Sequence, residues 1–422
     1  MLLAHIFPLI LLSCTVSSMG HVDSGLQASE NMAVVASELY NSISATRKGY
    51  LNFVFSPFSI LSVFKMAQMG ARGATRAEMD RHLAFTASLD VPALRGAATP
   101  WGTDPPIELE TANRMYVESS LSGDAQFRHF ASEVLAKLKC EAVTADFTDA
   151  EATAASINAF VEEKTKGHIK NIVPASFLSS YTRMVLVNAL YFKGPWAFPF
   201  SPKSTSLGPF CMEDGEKGCV HEQQVKFMRQ RLEEGFGYYE GETAKVLSLP
   251  YADERFSLYV FLPQDISQFE QQLLQRPEAI EELVSRVDSS SSSGLVLDLS
   301  MPLVKLPAEQ NQVDLVEVYR RMGVHLMFDA KDADFSGICR SRDLYVSSFL
   351  HQADLTWNEE GTEAAAATAM LFVDFAAFHP KREISLAVDR PFLFQVRVKD
   401  TANSHSLVLL AGRVIDARAA QM

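Results

Sequence analysis

Apolar residues recur at helical spacing through the early part of the chain and as short strand-like runs through the later part, and this order constrains the fold more than any single motif. Helices grouped early and strands grouped late predict an α+β architecture with large antiparallel sheets. Met32, Val35, Leu39 and Ile43 predict a helix with Ser29 as its N-cap. Ser56 before Pro57 predicts a capped helix start, and Gly70 its end. Thr75 with Glu78, and Thr148 with Glu151, have capping-box spacing, the second opening a helix through Phe160 that stops at Gly167. Residues 184–187 are continuously apolar, as a strand covered on both faces requires. Segments 246–249 and 256–262 predict a hairpin, and 392–398 with 407–410 two further strands. There is no internal repeat and no interdomain linker, and the serine run 289–293 reads as a surface loop, so one domain over 19–422 is expected.

The 422 residues carry 38 Lys and Arg against 51 Asp and Glu, a formal charge of −13. That balance argues against nucleic acid or an anionic membrane as partner. No apolar run reaches the roughly 18 uninterrupted residues of a spanning helix. Residues 1–18, apolar and ending in Val16, Ser17 and Ser18, read as a signal peptide and predict a secreted, extracellular protein. Their removal takes Cys14 and leaves Cys140, Cys211, Cys219 and Cys339, too few for a disulfide scaffold. Cys211 and Cys219 flank a stretch that a hairpin could close, so a disulfide between them and two free thiols stand as equal alternatives.

Enzyme signatures fail on single residues. Gly235 and Gly237 begin like a dinucleotide fingerprint, but Glu240 stands where the third glycine belongs, and a turn is expected instead. His221 and Glu222 open like a zinc-protease motif, but Val225 replaces the second histidine, so no metal site is expected. No phosphate-binding lysine loop, Cys-x-x-Cys pair or nucleophile elbow occurs, and neither catalysis nor a cofactor is expected.

The segment Glu359-Glu360-Gly361-Thr362-Glu363-Ala364-Ala365-Ala366-Ala367-Thr368-Ala369 admits two readings. Intrinsic propensity favours an Ala-rich surface helix capped at Thr362. Alternation favours a strand held in reserve: Thr362, Ala364, Ala366, Thr368, Met370 and Phe372 form an uncharged face, with Glu363 on the other. A strand entering the middle of a sheet must bury one face, where a charge would be prohibitive and small residues need no repacking of their neighbours.

At these residues the chain resembles the serpins, metastable protease inhibitors, over nearly its whole mature length. Supporting motifs are Asn52 to Ile60, Val187 to Trp196, Arg390 to Phe394 and Leu410 to Val414. The resemblance implies the serpin fold, with helices around large, mostly antiparallel sheets and an exposed reactive-centre loop at about 359–383. It implies a monomeric, irreversible suicide-substrate inhibitor that forms a covalent 1:1 complex with a serine protease by inserting the cleaved loop into the central sheet. It places Ser56, Ser59, Asn188 and His351 in a buried polar shutter beneath the opening sheet, and Trp196 at the breach where the loop enters. Family spacing puts the scissile bond between Phe375 and Ala376, which suits a chymotrypsin-like target. Leu303 stands where many relatives carry a basic partner for the hinge glutamate, which would leave Glu359 without it, and Asp416 with Ala417 replaces the usual asparagine and proline. No basic cluster on the early helices supports a heparin-type cofactor. The alternative is a non-inhibitory serpin acting as carrier, chaperone or storage protein.

Overall fold

The structure is a computed structural model that describes residues 24–47, 51–82, 107–213, 219–290, 292, 294–340, 343–362, 382–399 and 406–421, with side chains described from 32 onward and omitted at 213, 219 and 220. The expected signal peptide, hinge residues Glu363, Ala364, Ala365, Ala366, Ala367 and Thr368, and the Phe375–Ala376 bond lie outside the described residues.

The helices are α1 (Ser24–Thr46), α2 (Pro57–Gly70), α3 (Gly73–Arg81), α4 (Ala125–Leu138), α5 (Ala150–Lys164), α6 (Ile266–Gln275), α7 (Ala279–Ser289) and α8 (Leu315–Arg321). The strands are β1 (Phe53–Phe55), β2 (Glu108–Glu118), β3 (Glu141–Ala145), β4 (Met184–Pro195), β5 (Ser206–Glu213), β6 (Cys219–Leu232), β7 (Gly237–Glu240), β8 (Ala244–Pro250), β9 (Phe256–Pro263), β10 (Leu295–Pro302), β11 (Val304–Leu306), β12 (Val313–Asp314), β13 (Val346–Trp357), β14 (Gly361–Thr362), β15 (Arg382–Ala387), β16 (Phe392–Lys399) and β17 (Ser406–Val414). Among the described residues they form three sheets, ordered β1-β17-β16-β9-β8-β7, β15-β10-β6-β5 and β11-β13-β4-β2-β3, the last joined by β12 on β13 and β14 on β4. Most pairs are antiparallel; β4–β13, β2–β3 and β10–β15 are parallel.

Strand β4 explains why its sequence reads as continuously apolar. Met184, Leu186, Leu190 and Phe192 enter the main core, while Val185, Val187, Ala189 and Tyr191 meet a second apolar cluster formed with Ile157, Phe160 and Val161 of α5. A strand sandwiched this way loses the polar alternation of a one-sided sheet.

Several local expectations shift. Helix α1 starts at Ser24, so Ser29 lies inside it. Thr75 sits within α3, where its hydroxyl accepts from the Asp334 amide at 2.9 Å instead of capping, and Glu78 accepts from the amides of His325 and Leu326. Helix α5 is capped by Asp149, not Thr148, with the side chain accepting from Ala152 at 3.0 Å. Ser289 ends α7 and does not belong to a loop. The early part of the chain also contributes β2 and β3, which were not expected. The hairpin β8–β9 and the pair β16–β17 form as expected. Gly235 turns the chain at φ 70°, while Gly237 opens β7. Cys211 on β5 is disulfide-bonded; Cys219 lies on the neighbouring strand β6, opposite Glu213, and its side chain is outside the described residues.

Candidate functional site

The parallel strands β4 and β13 pair from Met184 opposite Val346 up to Tyr191 opposite Asp354, where their ladder ends. Past Trp357 the chain turns on Asn358, whose Oδ1 accepts from the amides of Glu360 at 3.0 Å and Gly361 at 3.3 Å, while its own amide donates to the Gly361 carbonyl at 2.8 Å. It returns as β14, antiparallel to β4, with Gly361 opposite Pro195 and Thr362 opposite Gly194. A strand doubling back from β13 is antiparallel to it, and because β4 and β13 are parallel it is antiparallel to both. The seam between them therefore offers two matched ladders to the same returning segment.

Glycine is required at the turn-in. Gly361 has φ 148°, and a Cβ there would lie 2.3 Å from the Gly194 carbonyl oxygen and 2.6 Å from Pro195 Cα. Trp196 holds the turn from the β4 side, donating from its backbone amide to the Glu360 carbonyl at 3.0 Å and from its indole Nε1 to the Asn358 carbonyl at 2.9 Å. The Phe200 amide donates to the Glu359 carbonyl at 2.7 Å. The Trp196 ring stacks on Tyr251, with centroids 4.8 Å apart. Thr362 is fully buried, its hydroxyl 2.9 Å from that of Tyr251. Burial raises the Tyr251 phenol well above its usual range, so it remains a neutral partner.

Lower in the same seam, Asn113, Asn188 and His351 stand opposite one another on β2, β4 and β13, a polar row across the sheet above the start of α2. Ser56 caps α2 by accepting from the Ser59 amide at 3.1 Å, and its own amide donates to His351 Nε2 at 3.0 Å. Asn188 Nδ2 donates to Ser59 Oγ and Asn113 Oδ1, both at 2.6 Å, and Ser59 Oγ donates to Asn113 Oδ1 at 2.9 Å. With Nε2 accepting, the imidazole proton sits on Nδ1 and is donated to Asn188 Oδ1. That bond spans β4 and β13, so it must break if a strand enters between them.

Burial, with the Arg47 charge second, pulls the His351 pKa down from 6.5 to about 3. The unfolded chain takes up this proton near 6.5 and the folded one only near 3. The stability tied to neutral His351 is therefore complete above 6.5 and is lost as pH falls through that interval. The urea midpoint of the protein should drop more steeply between pH 6.5 and pH 3 than that of His351→Gln; parallel profiles would contradict this assignment.

Of the residues expected here, Ser56, Ser59, Asn188 and His351 are brought together; Glu360 and Gly361 meet Trp196, while Glu359 meets Phe200 and Thr205, and Thr362 meets Tyr251. Sequence reasoning missed Asn113, because β2 itself was not anticipated, and also Thr205 and Tyr251, which stand far from any motif. The Glu359 carboxylate does have a partner: the Thr205 hydroxyl donates to it at 2.6 Å. Leu303, half-buried, packs against the main core. Asp416 caps the last turn, accepting from the Ala419 amide at 2.9 Å, and Asn52 clamps the backbone of Ile415 and Asp416.

Known proteins resemble this chain in sequence and fold. The family model described as Serpin (serine protease inhibitor) matches residues 30–417. The leukocyte elastase inhibitor of Bos taurus is 34% identical over 374 residues, covering 86% of this chain and 92% of that protein. The Homo sapiens leukocyte elastase inhibitor is 31% identical over 369 residues at the same coverage. Among solved structures, Serpin48 of the insect Tenebrio molitor, described as a highly specific serpin, superposes with a TM-score of 0.74 at 28% identity, covering 94% of this chain and all of the other (100%). Human thyroxine-binding globulin gives a TM-score of 0.75 at 24% identity over 93% of this chain and 98% of its own, a likeness of fold. With the hinge turned into a parallel seam, the polar row beneath it and these matches in hand, the chain belongs to the serpin family of serine protease inhibitors.

Proposed function

We propose that this serpin is a secreted, irreversible suicide-substrate inhibitor of a chymotrypsin-like serine protease. The observation that carries the reading is the buried pair Gly361–Thr362, which already occupies the first antiparallel rung in the seam between β4 and β13. The protease serine oxygen adds to the carbonyl of Phe375, the peptide bond to Ala376 breaks, and the amine of Ala376 leaves with a proton. The ester left behind ties the enzyme to the loop. Insertion then carries that ester down the sheet before water can hydrolyse it. From Thr362 to Phe375 is thirteen residues, or on the order of 43 Å of strand, enough to run the length of the twelve-residue β4. The complex is 1:1, formed by a monomer without a heparin-type cofactor, and residues 1–18 are removed on secretion. The relatives named leukocyte elastase inhibitors favour a target of the same enzyme class.

Mixing the protein with chymotrypsin and resolving the products on a denaturing gel tests this directly. A covalent band and a released C-terminal peptide beginning at Ala376 are expected. Clean cleavage without that band would instead favour the carrier or storage reading. A peptide beginning after Leu371 or Val373 would move the target toward an elastase-like specificity.

A further inference from the structure

At the lower end of the seam, residues 174–183 form a stapled turn leading into β4. The Ser179 amide donates to Thr182 Oγ1 at 3.0 Å, the Thr182 amide to the Ser179 carbonyl at 2.9 Å, and the Tyr181 amide to Ser179 Oγ at 3.3 Å. The Arg183 guanidinium donates to the carbonyls of Ser180 at 2.9 Å and Thr182 at 3.2 Å. Across the seam, the Tyr345 hydroxyl donates to the Tyr181 carbonyl at 3.1 Å and the Arg183 amide to Ser347 Oγ at 2.9 Å; a strand inserted to this level parts both, and the bonds within residues 179–183 continue to hold the turn.

This fixed turn presents two aromatic rings to solvent. Tyr181 is 78% exposed and Phe177 45% exposed. Among the described residues neither ring packs against another aromatic, and the Tyr181 hydroxyl makes no hydrogen bond. Rigidly held, exposed aromatics lose little entropy on being covered and are typical anchors of protein interfaces.

The β14 register says what arrives there. Thirteen residues on from Thr362 is Phe375, and thirteen back from its partner Gly194 is Tyr181. A loop fully inserted in that register brings its cut end level with Tyr181, three residues beyond Met184, where β4 begins.

We propose that Tyr181 and Phe177 form the seat on which the acylated serine protease comes to rest. The proposal rests on the inhibitory reading above. Its consequence is kinetic: a protease pressed onto this seat keeps its ester shielded from water, and one that hangs free is released sooner.

The test uses the full protein and chymotrypsin, comparing the parent with a variant carrying both Phe177→Ser and Tyr181→Ala. The rate of complex formation and the gain in melting temperature on loop cleavage should be unchanged, since neither ring touches the seam. Recovery of active chymotrypsin from the complex should be about tenfold faster, as for loss of interface anchors. Tyr181→Phe, which keeps the ring and removes an unbonded hydroxyl, should behave as the parent. An unchanged complex lifetime in the double variant overturns the seat alone, as does loss of the melting gain, which would mark the turn as part of insertion itself. No covalent complex with the parent protein overturns the inhibitory reading and the seat together.

Discussion

Thr362→Arg should turn the protein from an inhibitor into a substrate: chymotrypsin would still cut the loop, and the covalent complex would all but vanish. Thr362 is the first side chain of the returning strand to be fully enclosed, with Tyr251 as its polar contact. A guanidinium there meets a phenol and a glycine backbone. Burying an unpaired ion costs several kcal/mol, so the hinge would stay outside the sheet. After acylation, insertion competes with hydrolysis of the ester. Raising the insertion barrier by only about 3 kcal/mol slows it on the order of 100-fold, and water wins. The readout is the ratio of inhibitor consumed per protease inactivated, which should rise by one to two orders of magnitude. Thr362→Val, which keeps the shape and forgoes one hydroxyl contact, should inhibit nearly as the parent does. Equal stoichiometry for the arginine variant and the parent would mean that the hinge is not the point of insertion.

Much of this site was legible in sequence because it depends on residue types with few substitutes. Gly361 is dictated by a backbone approach no Cβ can share, and the Ser56-Pro57 pair by a helix start whose cap doubles as a shutter residue. The uncharged alternate face after Gly361 follows from the need to enter a closed sheet. What sequence hid was the partner across each strand. Asn113 reads as an ordinary polar residue until β2 is laid against β4, and Tyr251 and Thr205 act only because the fold brings them to the hinge. Cap positions failed where a neighbouring residue served as well: Asp149 beside Thr148 does the same chemistry, and tertiary contacts claim Thr75 and Glu78 for other backbone groups. Strands β2 and β3 went unread because polar Thr111 and Asn113 stand between Leu109 and Met115 on the face opposite Glu108, Glu110 and Arg114, so no apolar stripe marks β2, and β3 is a five-residue strand with a single buried position.

The intact fold should lie above a more stable one reached by filling the seam. A new central strand would make on the order of 20 hydrogen bonds at about 1 kcal/mol net each, against about 13 ordered residues at roughly 1.5 kcal/mol. These terms cancel to within a few kcal/mol, so any large gain in stability measures energy held in the uncleaved molecule. Distorting a protease that is itself stable by about 5–15 kcal/mol requires a store of that order. In a chain of this length, each degree of melting temperature corresponds to nearly 1 kcal/mol, which sets the scale of the expected shift. The decisive measurement is a thermal scan of the protein before and after its loop is cut by a protease it does not trap. The cleaved form should melt on the order of 20 °C higher; melting within about 2 °C of the intact form would mean that the uncleaved molecule holds no such energy.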